Sequence, residues 1–183
     1  MHIVFLELVI DPSCTLIFEA EAAEPNVMKR PPRNPKEGLL SLETVVFSVL
    51  QGASALGVCL GVFLLSRPTH GTDAARALTF ATLVVAFLVI ILANRSWTRT
   101  IVGMLHVRNS ALPWVIGGTA ALLASVLLVP GLRGVFHFAP LHPADLALSL
   151  GAGAVCVMWF ELLKVAKWRG RIGSGGSPAR ADE

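Results

Sequence analysis

Two carboxylates near the start of the chain are the residues best placed to do chemistry. Glu7 and Asp11 stand four positions apart in an apolar segment, so on a helix they share one face. A carboxylate at the middle of a bilayer costs about 2.5–3.5 kcal/mol on insertion scales. Because two like charges at this spacing also repel, protons, a cation or basic partners should neutralise them. Carboxylate oxygens suit Ca²⁺ or Mn²⁺, and the pair therefore predicts a cation site.

A proline directly after the second carboxylate strengthens this interpretation. Pro12 has no N–H, so the carbonyl of Leu8 loses its helical partner, and the ring disfavours helical geometry at Asp11. We expect the helix to open there and to leave free carbonyls beside the carboxylates, as in the discontinuous helices of transporters. The alternative is that Met1 lies at the membrane surface, with Glu7 in water and Asp11 as a helix cap.

The composition indicates a membrane protein. Of 183 residues, 54% are hydrophobic and only 15% are charged, whereas a soluble domain carries about a quarter charged residues. The apolar residues gather into five blocks, close to the ~20 residues that a helix needs to cross a bilayer. The blocks cover residues 1–18, 44–65, 77–93, 111–129 and 144–165. Since lipid tolerates only helices or closed barrels, and alternating strands are absent, we expect an all-α bundle of about five transmembrane helices.

The charges and prolines divide the chain into four parts. Residues 1–18 are expected to form a first, truncated transmembrane helix with the two carboxylates, and residues 19–43 an extended cytoplasmic loop, because its prolines exclude a helix. Residues 44–169 hold four further spans, and residues 170–183 a disordered tail. Lys and Arg concentrate in every second connection, which places that side, and the C-terminus, in the cytoplasm.

The remaining polar and small residues predict structure rather than chemistry. The basic residues sit in short loops without interleaved aromatic residues, so orientation in the membrane explains them better than nucleic-acid binding. Gln51, inside the second block, should hydrogen-bond to a neighbouring helix. Gly57 and Gly61 form a G-x-x-x-G pair that predicts a helix-packing face. The three cysteines lie in apolar blocks without C-x-x-C spacing and should be free thiols.

The order of these features resembles one family. Glu7-Leu8-Val9-Ile10-Asp11 resembles the N-L-V-T-D core of the sixth membrane helix in type II P-type ATPases, the calcium-pump class. Val27-Met28-Lys29-Arg30-Pro31-Pro32-Arg33 is similar to the cytoplasmic loop signature D-I-M-x-R-P-P-R of these pumps, at the spacing that the family has. Asn94-Arg95-Ser96 and the segment 159–164 look like bacterial members. The resemblance extends to about residue 171.

This resemblance implies that the five spans are the pump's helices six to ten, and that the sixth is a partly unwound helix that binds the transported ion. The family's Asn matches Glu7, its Thr matches Ile10 and its Asp matches Asp11. One oxygen ligand is therefore lost, and residues 83–92, where the family's eighth helix can add an acidic ligand, are wholly apolar. The resemblance implies a single site, for Ca²⁺, Mn²⁺ or H⁺, rather than two calcium sites.

The sequence does not contain the family's D-K-T-G-T and T-G-E-S motifs, so this chain alone should not hydrolyse ATP. The resemblance implies that ATP and Mg²⁺ act in the complete pump. It also implies that the partners are the lipid bilayer and the remainder of the pump, in cis or in trans, in a bacterial plasma membrane. The alternative is a stand-alone small multi-pass membrane protein that acts as a partner or regulator of another membrane protein.

Overall fold

The computed structural model of the protein describes residues 1–21, 42–95 and 109–174, with side chains except those of Glu43 and residues 164–174. All regular structure in these ranges is helical, which confirms the all-α prediction. Five helices follow one another along the chain. They are α1 (His2–Glu19), α2 (Leu42–Asn94), α3 (Leu112–Leu128), α4 (Pro130–Phe136) and α5 (Pro143–Ser174). The basic loop signature, residues 27–33, lies outside the described residues, as does the tail beyond Ser174.

The long helix α2 is a hairpin with two arms. Gly71 has φ 81° and ψ 172°, a conformation open essentially only to glycine. The chain folds back there, so that residues 72–94 (the second arm) run beside residues 42–70 (the first arm). Near the other end of the arms, Asn94 Nδ2 donates a hydrogen bond to Gln51 Oε1 over 3.1 Å. The interhelical bond predicted for Gln51 is thus present, and the loop expected between two spans is helical except at Gly71.

The second arm of α2 packs most closely on α5, at Gly153. A Cβ atom on Gly153 would lie 2.7 Å from Cγ1 of Val85 and 3.0 Å from the carbonyl oxygen of Thr82, so there is no room for a side chain at position 153. One turn earlier on α5, the buried Ser149 donates from its Oγ to the carbonyl oxygen of Leu78 over 3.2 Å. The two helices are therefore in near backbone contact over at least one turn.

The packing face predicted at Gly57 and Gly61 is not used within the described part of the chain. A Cβ at either glycine would meet no atom within 4 Å. Sequence spacing marks where two helix backbones can approach, but it does not tell which apolar face receives a partner. In this bundle the close approach occurs at Gly153, which has no glycine four residues away.

Two ends of the bundle can be distinguished. The hinge end contains Gly71, and the loop end is where α1 ends and α3 begins. At the hinge end α3 is followed by α4 after a bend of 85°, because Val129 is extended and Pro130 starts a new helix. Aromatic rings fill the hinge end, with ring centroids 5.2–6.0 Å apart. They belong to His2, Phe5, Phe80, Phe136 and Phe138.

The length and composition of the helices agree with a membrane bundle. In the described ranges, Thr44–Asn94 and Pro143–Leu163 are long and apolar enough to cross a membrane, and α3 with α4 adds a third span if the bent pair counts as one. Thr44–Asn94 has 51 residues, which is enough for two crossings at about 20 residues each and fits the hairpin. Helix α1 has 18 residues and three carboxylates, so it is not apolar enough to be counted among these spans.

Candidate functional site

Helix α1 has one face packed on the bundle and an opposite face that carries both carboxylates. Val9, Ser13 and Ile17 are buried at successive turns. At about 100° per residue, Glu7 and Asp11 lie roughly 160° and 200° around the helix from Val9. Both carboxylate residues are exposed. The structure therefore places them on adjacent turns of one face, as the spacing predicts, and directs that face away from α2 and α3.

The helix does not open at Pro12. Helix α1 runs without interruption from His2 to Glu19 with Pro12 inside it. The structure therefore contradicts the helix break that the sequence predicted beside the carboxylates. Proline removes one backbone hydrogen bond, but Val9, Ser13 and Ile17 pack on both sides of it and hold the two halves in line. Ser13 Oγ also donates to the carbonyl oxygen of Val9, which gives this turn a side-chain hydrogen bond.

Large apolar side chains surround the two carboxylates on the exposed face. Their exposed fractions are 71% for Ile3, 64% for Val4 and 67% for Leu8. Within the described residues, no group of three or more His, Cys, Asp or Glu side chains gathers into a metal-binding cluster. Two carboxylates supply at most four oxygens, whereas Ca²⁺ takes six to eight. The two carboxylates thus lie side by side in an otherwise apolar surface and do not by themselves complete the ligand set of a Ca²⁺ ion.

An open groove between α1 and α3 lies beside this face without including the carboxylates. Its volume is about 350 Å³, and its lining is almost wholly apolar. The lining side chains include Leu8, Pro12, Leu16, Trp114, Val115 and Leu122. Because neither Glu7 nor Asp11 contributes to it, the groove is not the candidate cation site.

Three polar residues that the sequence analysis did not select meet at the loop end. Glu21, Arg95 and Asn109 form this loop-end cluster, and they come from the ends of α1 and α2 and from the approach to α3. Arg95 donates from Nε to Glu21 Oε2 over 2.7 Å and from Nη2 to Oε1 over 3.2 Å. Asn109 Nδ2 donates to Glu21 Oε2 over 2.9 Å. In the sequence, each of the three follows or precedes an apolar block, and Arg95 also belongs to the Asn94-Arg95-Ser96 stretch that resembles bacterial family members.

The loop-end cluster is largely shielded from solvent. The exposed fraction of the Arg95 side chain is 1%, and that of Glu21 is 15%. Burial alone would raise the pKa of Glu21, but hydrogen bonds from Arg95 and Asn109, with the Arg95 charge, together hold this pKa below its usual range. Glu21 is therefore ionised at neutral pH, and the cluster is a buried ion pair supported by an amide.

Comparison with known proteins agrees with this architecture. The family model described as "Cation transporting ATPase, C-terminus" matches residues 1–166. A calcium-transporting ATPase of Listeria monocytogenes is 30% identical over 178 residues, which cover 91% of this chain and 19% of that protein. Calcium-transporting ATPase type 2C member 2 of Rattus norvegicus is 27% identical over 169 residues, or 91% of this chain and 18% of its own length. A calcium-transporting ATPase of Bacillus subtilis is 27% identical over 158 residues.

The chain thus spans less than a fifth of the length of these relatives, in the region that the family model assigns to the C-terminus. The matched region contains the outward-facing carboxylates of α1, the hairpin α2, the helices α3 and α4, and most of α5. A multi-pass all-α membrane bundle is the architecture expected of that region. The chain belongs to the family of the C-terminal membrane domain of P-type cation-transporting ATPases.

Proposed function

We propose that Glu7 and Asp11 bind the cation that a complete P-type ATPase transports, and that α1 presents them to the rest of that pump. The observation that supports the proposal is the direction of the two carboxylates. Both project from an apolar face on the side of α1 opposite to Val9, Ser13 and Ile17. A face of this kind fits a helix that is covered on its second side by other membrane helices.

The free-energy cost of two charged carboxylates exposed to lipid supports a site that is covered by other helices and neutralised. Each charge exposed to lipid costs about 2.5–3.5 kcal/mol on insertion scales, and the repulsion between Glu7 and Asp11 adds to that cost. A bound cation, together with oxygen ligands from other helices, would relieve both terms. Since the relatives are about five times longer than the matched region, the remaining ligands would come from parts of the pump outside this chain.

The proposal assigns the chain no step in ATP hydrolysis. Phosphorylation and nucleotide binding would take place in the remainder of the pump, with ATP and Mg²⁺. The segment after α1, with Met28 to Arg33, would be the cytoplasmic loop that meets the phosphorylation domain. In this orientation the C-terminus is cytoplasmic, in the plasma membrane of a bacterium. Calcium is named for the relatives, and for this chain Ca²⁺, Mn²⁺ and H⁺ are the cations to test.

The experiment replaces the carboxylates in the chromosomal gene, so that any flanking sequence is kept. Glu7→Gln and Asp11→Asn preserve shape and remove one charge each. Glu19→Gln is the matched control, because Glu19 is an exposed carboxylate on the same helix and outside the pair. In isolated membranes, we expect both site variants to lose phosphorylation from labelled ATP that depends on Ca²⁺ or Mn²⁺, with normal amounts of protein. The Glu19 variant should behave as the wild type.

The site assignment is wrong if Glu7→Gln and Asp11→Asn both keep the wild-type cation dependence. An immunoblot of the same membranes gives the mass of the product that carries this chain. A product near 19.5 kDa that forms no phosphorylated species, alone or with a co-purified partner, would favour the stand-alone membrane partner over the pump.

A further inference from the structure

We infer that the loop-end cluster of Glu21, Arg95 and Asn109 positions the carboxylates of α1 by fixing the loop end of that helix to α2 and α3. The effect of this cluster on cation binding rests on the proposed function, whereas the anchoring of α1 can be tested independently of that function.

Asn109 joins the end of α1 to the start of α3 with one side chain. Its Nδ2 donates to the carbonyl oxygen of Ile17 over 3.0 Å and to Glu21. Its Oδ1 accepts from the backbone N–H groups of Ala111 over 3.0 Å and Leu112 over 3.2 Å. The last carbonyls and the first N–H groups of helices lack partners within their own helix. A single amide therefore serves two helix ends and holds them side by side.

Glu21 and Arg95 add a fixed orientation to this junction. Their two hydrogen bonds run in parallel, and such a bidentate pair sets an angle as well as a distance. Arg95 directly follows the last residue of α2, and Glu21 lies close to the start of α3 through Asn109. A positive charge at helix C-termini and a negative charge at a helix N-terminus both oppose the helix dipoles. The Arg95 charge thus has a favourable place at the C-terminal ends of α1 and α2, and it offsets the Glu21 charge, which itself follows the C-terminus of α1.

The apolar layer beneath the cluster contains the same three helices. Ile17 of α1, Ile91 of α2 and Val115 of α3 form one buried group, and their exposed fractions are between 0% and 7%. The polar cluster covers this group at the loop end. Because the Arg95 side chain carries a guanidinium charge and is itself shielded, removal of Glu21 would leave a buried charge without its partner. Such a pair holds the helix end more firmly than an exposed one.

The continuity of α1 carries this anchoring to the carboxylates. Asp11 lies ten residues before Glu21, or about 15 Å along a helix. Since α1 does not break at Pro12, a shift or rotation at its loop end moves Asp11 and Glu7 with it. Ligand distances in metal sites hold to within about 0.2 Å. A loosened loop end would therefore weaken cation binding while the carboxylates themselves remain unchanged.

The test uses chromosomal variants of the full protein in native membranes or nanodiscs. Glu21→Gln and Arg95→Met each break the ion pair, and the double variant removes both charges. Arg95→Lys keeps the charge without the parallel hydrogen bonds and provides a milder change. Arg76→Gln is the matched control, because Arg76 forms an exposed pair with Asp73 over 3.4 Å at the hinge end.

Hydrogen exchange of the backbone gives the first readout. We expect the peptides that contain the last turn of α1 and the first turn of α3 to exchange at least about tenfold faster in Glu21→Gln and Arg95→Met. The double variant should exchange more slowly than either single variant, because no uncompensated buried charge remains. Arg76→Gln should match the wild type. Unchanged exchange in Glu21→Gln, Arg95→Met and Arg95→Lys would overturn the inference, whatever the cation does.

The second readout is the phosphorylation that depends on Ca²⁺ and, separately, on Mn²⁺. A positioning role predicts that Glu21→Gln raises the half-saturating cation concentration at least about fivefold, with an unchanged maximal level per molecule. Faster exchange without this shift would show a purely structural cluster and would overturn the positioning role. If Glu7→Gln and Asp11→Asn keep the wild-type cation dependence, the proposed function fails, and the exchange result still decides whether the cluster anchors α1.

Discussion

A single methyl group should be enough to disturb the contact between α5 and the second arm of α2. In Gly153→Ala, the new Cβ atom would lie 2.7 Å from Cγ1 of Val85 and 3.0 Å from the carbonyl oxygen of Thr82. Carbon atoms in contact are normally about 3.5–4.0 Å apart. Val85 cannot turn away easily, because a β-branched side chain has one strongly preferred rotamer in a helix, and the Thr82 oxygen belongs to the backbone. The helices must separate by about 0.8 Å to restore contact distance.

The expected cost follows from comparison with a second glycine on the same helix. Extra methyl groups in a packed interior cost about 1–3 kcal/mol. A change from glycine to alanine in a helix also returns up to about 1 kcal/mol through helix propensity. Gly151→Ala gains the same propensity without the clash, because a Cβ there meets no atom within 4 Å. The free energy of unfolding should thus be about 1–3 kcal/mol lower for Gly153→Ala than for Gly151→Ala.

The free energy of unfolding can be measured by titrating the purified chain from mild detergent into SDS, with circular dichroism and tryptophan fluorescence as probes. A second change checks the geometry. The Cβ of Val85 itself would be 2.8 Å from the new methyl group, so the cost of Gly153→Ala, measured against the same background with Gly153, should be smaller with Val85→Gly than with Val85→Ala. The reasoning is refuted if Gly153→Ala is at least as stable as Gly151→Ala.

Two further outcomes can be measured with the same material. Gly71→Ala should lower the free energy of unfolding by about 1–3 kcal/mol, because φ 81° with ψ 172° is strained for any residue with a Cβ. Gly52→Ala should not lower it, because Gly52 lies in open space on the first arm. Equal stability of the two variants would contradict this prediction. The pKa of Glu21 is lowered in the folded protein, so its stabilising effect is present above the ordinary glutamate pKa of about 4.3 and is lost as the pH falls below it. Hydrogen exchange at the loop end, corrected for its intrinsic pH dependence, should show this loss of protection in the wild type and not in Glu21→Gln.

The fold class could be predicted from the sequence because it depends on one physical requirement. Backbone polar groups in lipid must be paired within the segment, so apolar blocks of about 20 residues specify helices. The residues at which the helices begin and end were harder to predict from the sequence. The connection between the second and third predicted spans is helical almost throughout, since the single conformation at Gly71 reverses the chain. A sequence pattern shows the apolar arms but not how few residues the reversal needs.

Only those features of the candidate site that lie within one helix could be predicted from the sequence. The shared face of Glu7 and Asp11 follows from helix periodicity alone. The continuity of the helix at Pro12 could not be predicted in this way. There, packing of Val9, Ser13 and Ile17 on both sides of the proline overrides the local propensity for a helix break. The loop-end cluster was beyond prediction for a different reason. Glu21 and Arg95 are 74 positions apart, and nothing in either neighbourhood indicates the other.

The hairpin of α2 has a consequence for the order of events during translation. Gln51 is buried and reaches Asn94 only when both arms stand side by side. A first arm released alone into lipid would hold an amide without this partner, at a cost of about 1–3 kcal/mol. We therefore expect the insertion machinery to retain residues 42–70 until the chain up to residue 94 has left the ribosome. The two arms would then enter the bilayer together, as one unit that pivots on Gly71.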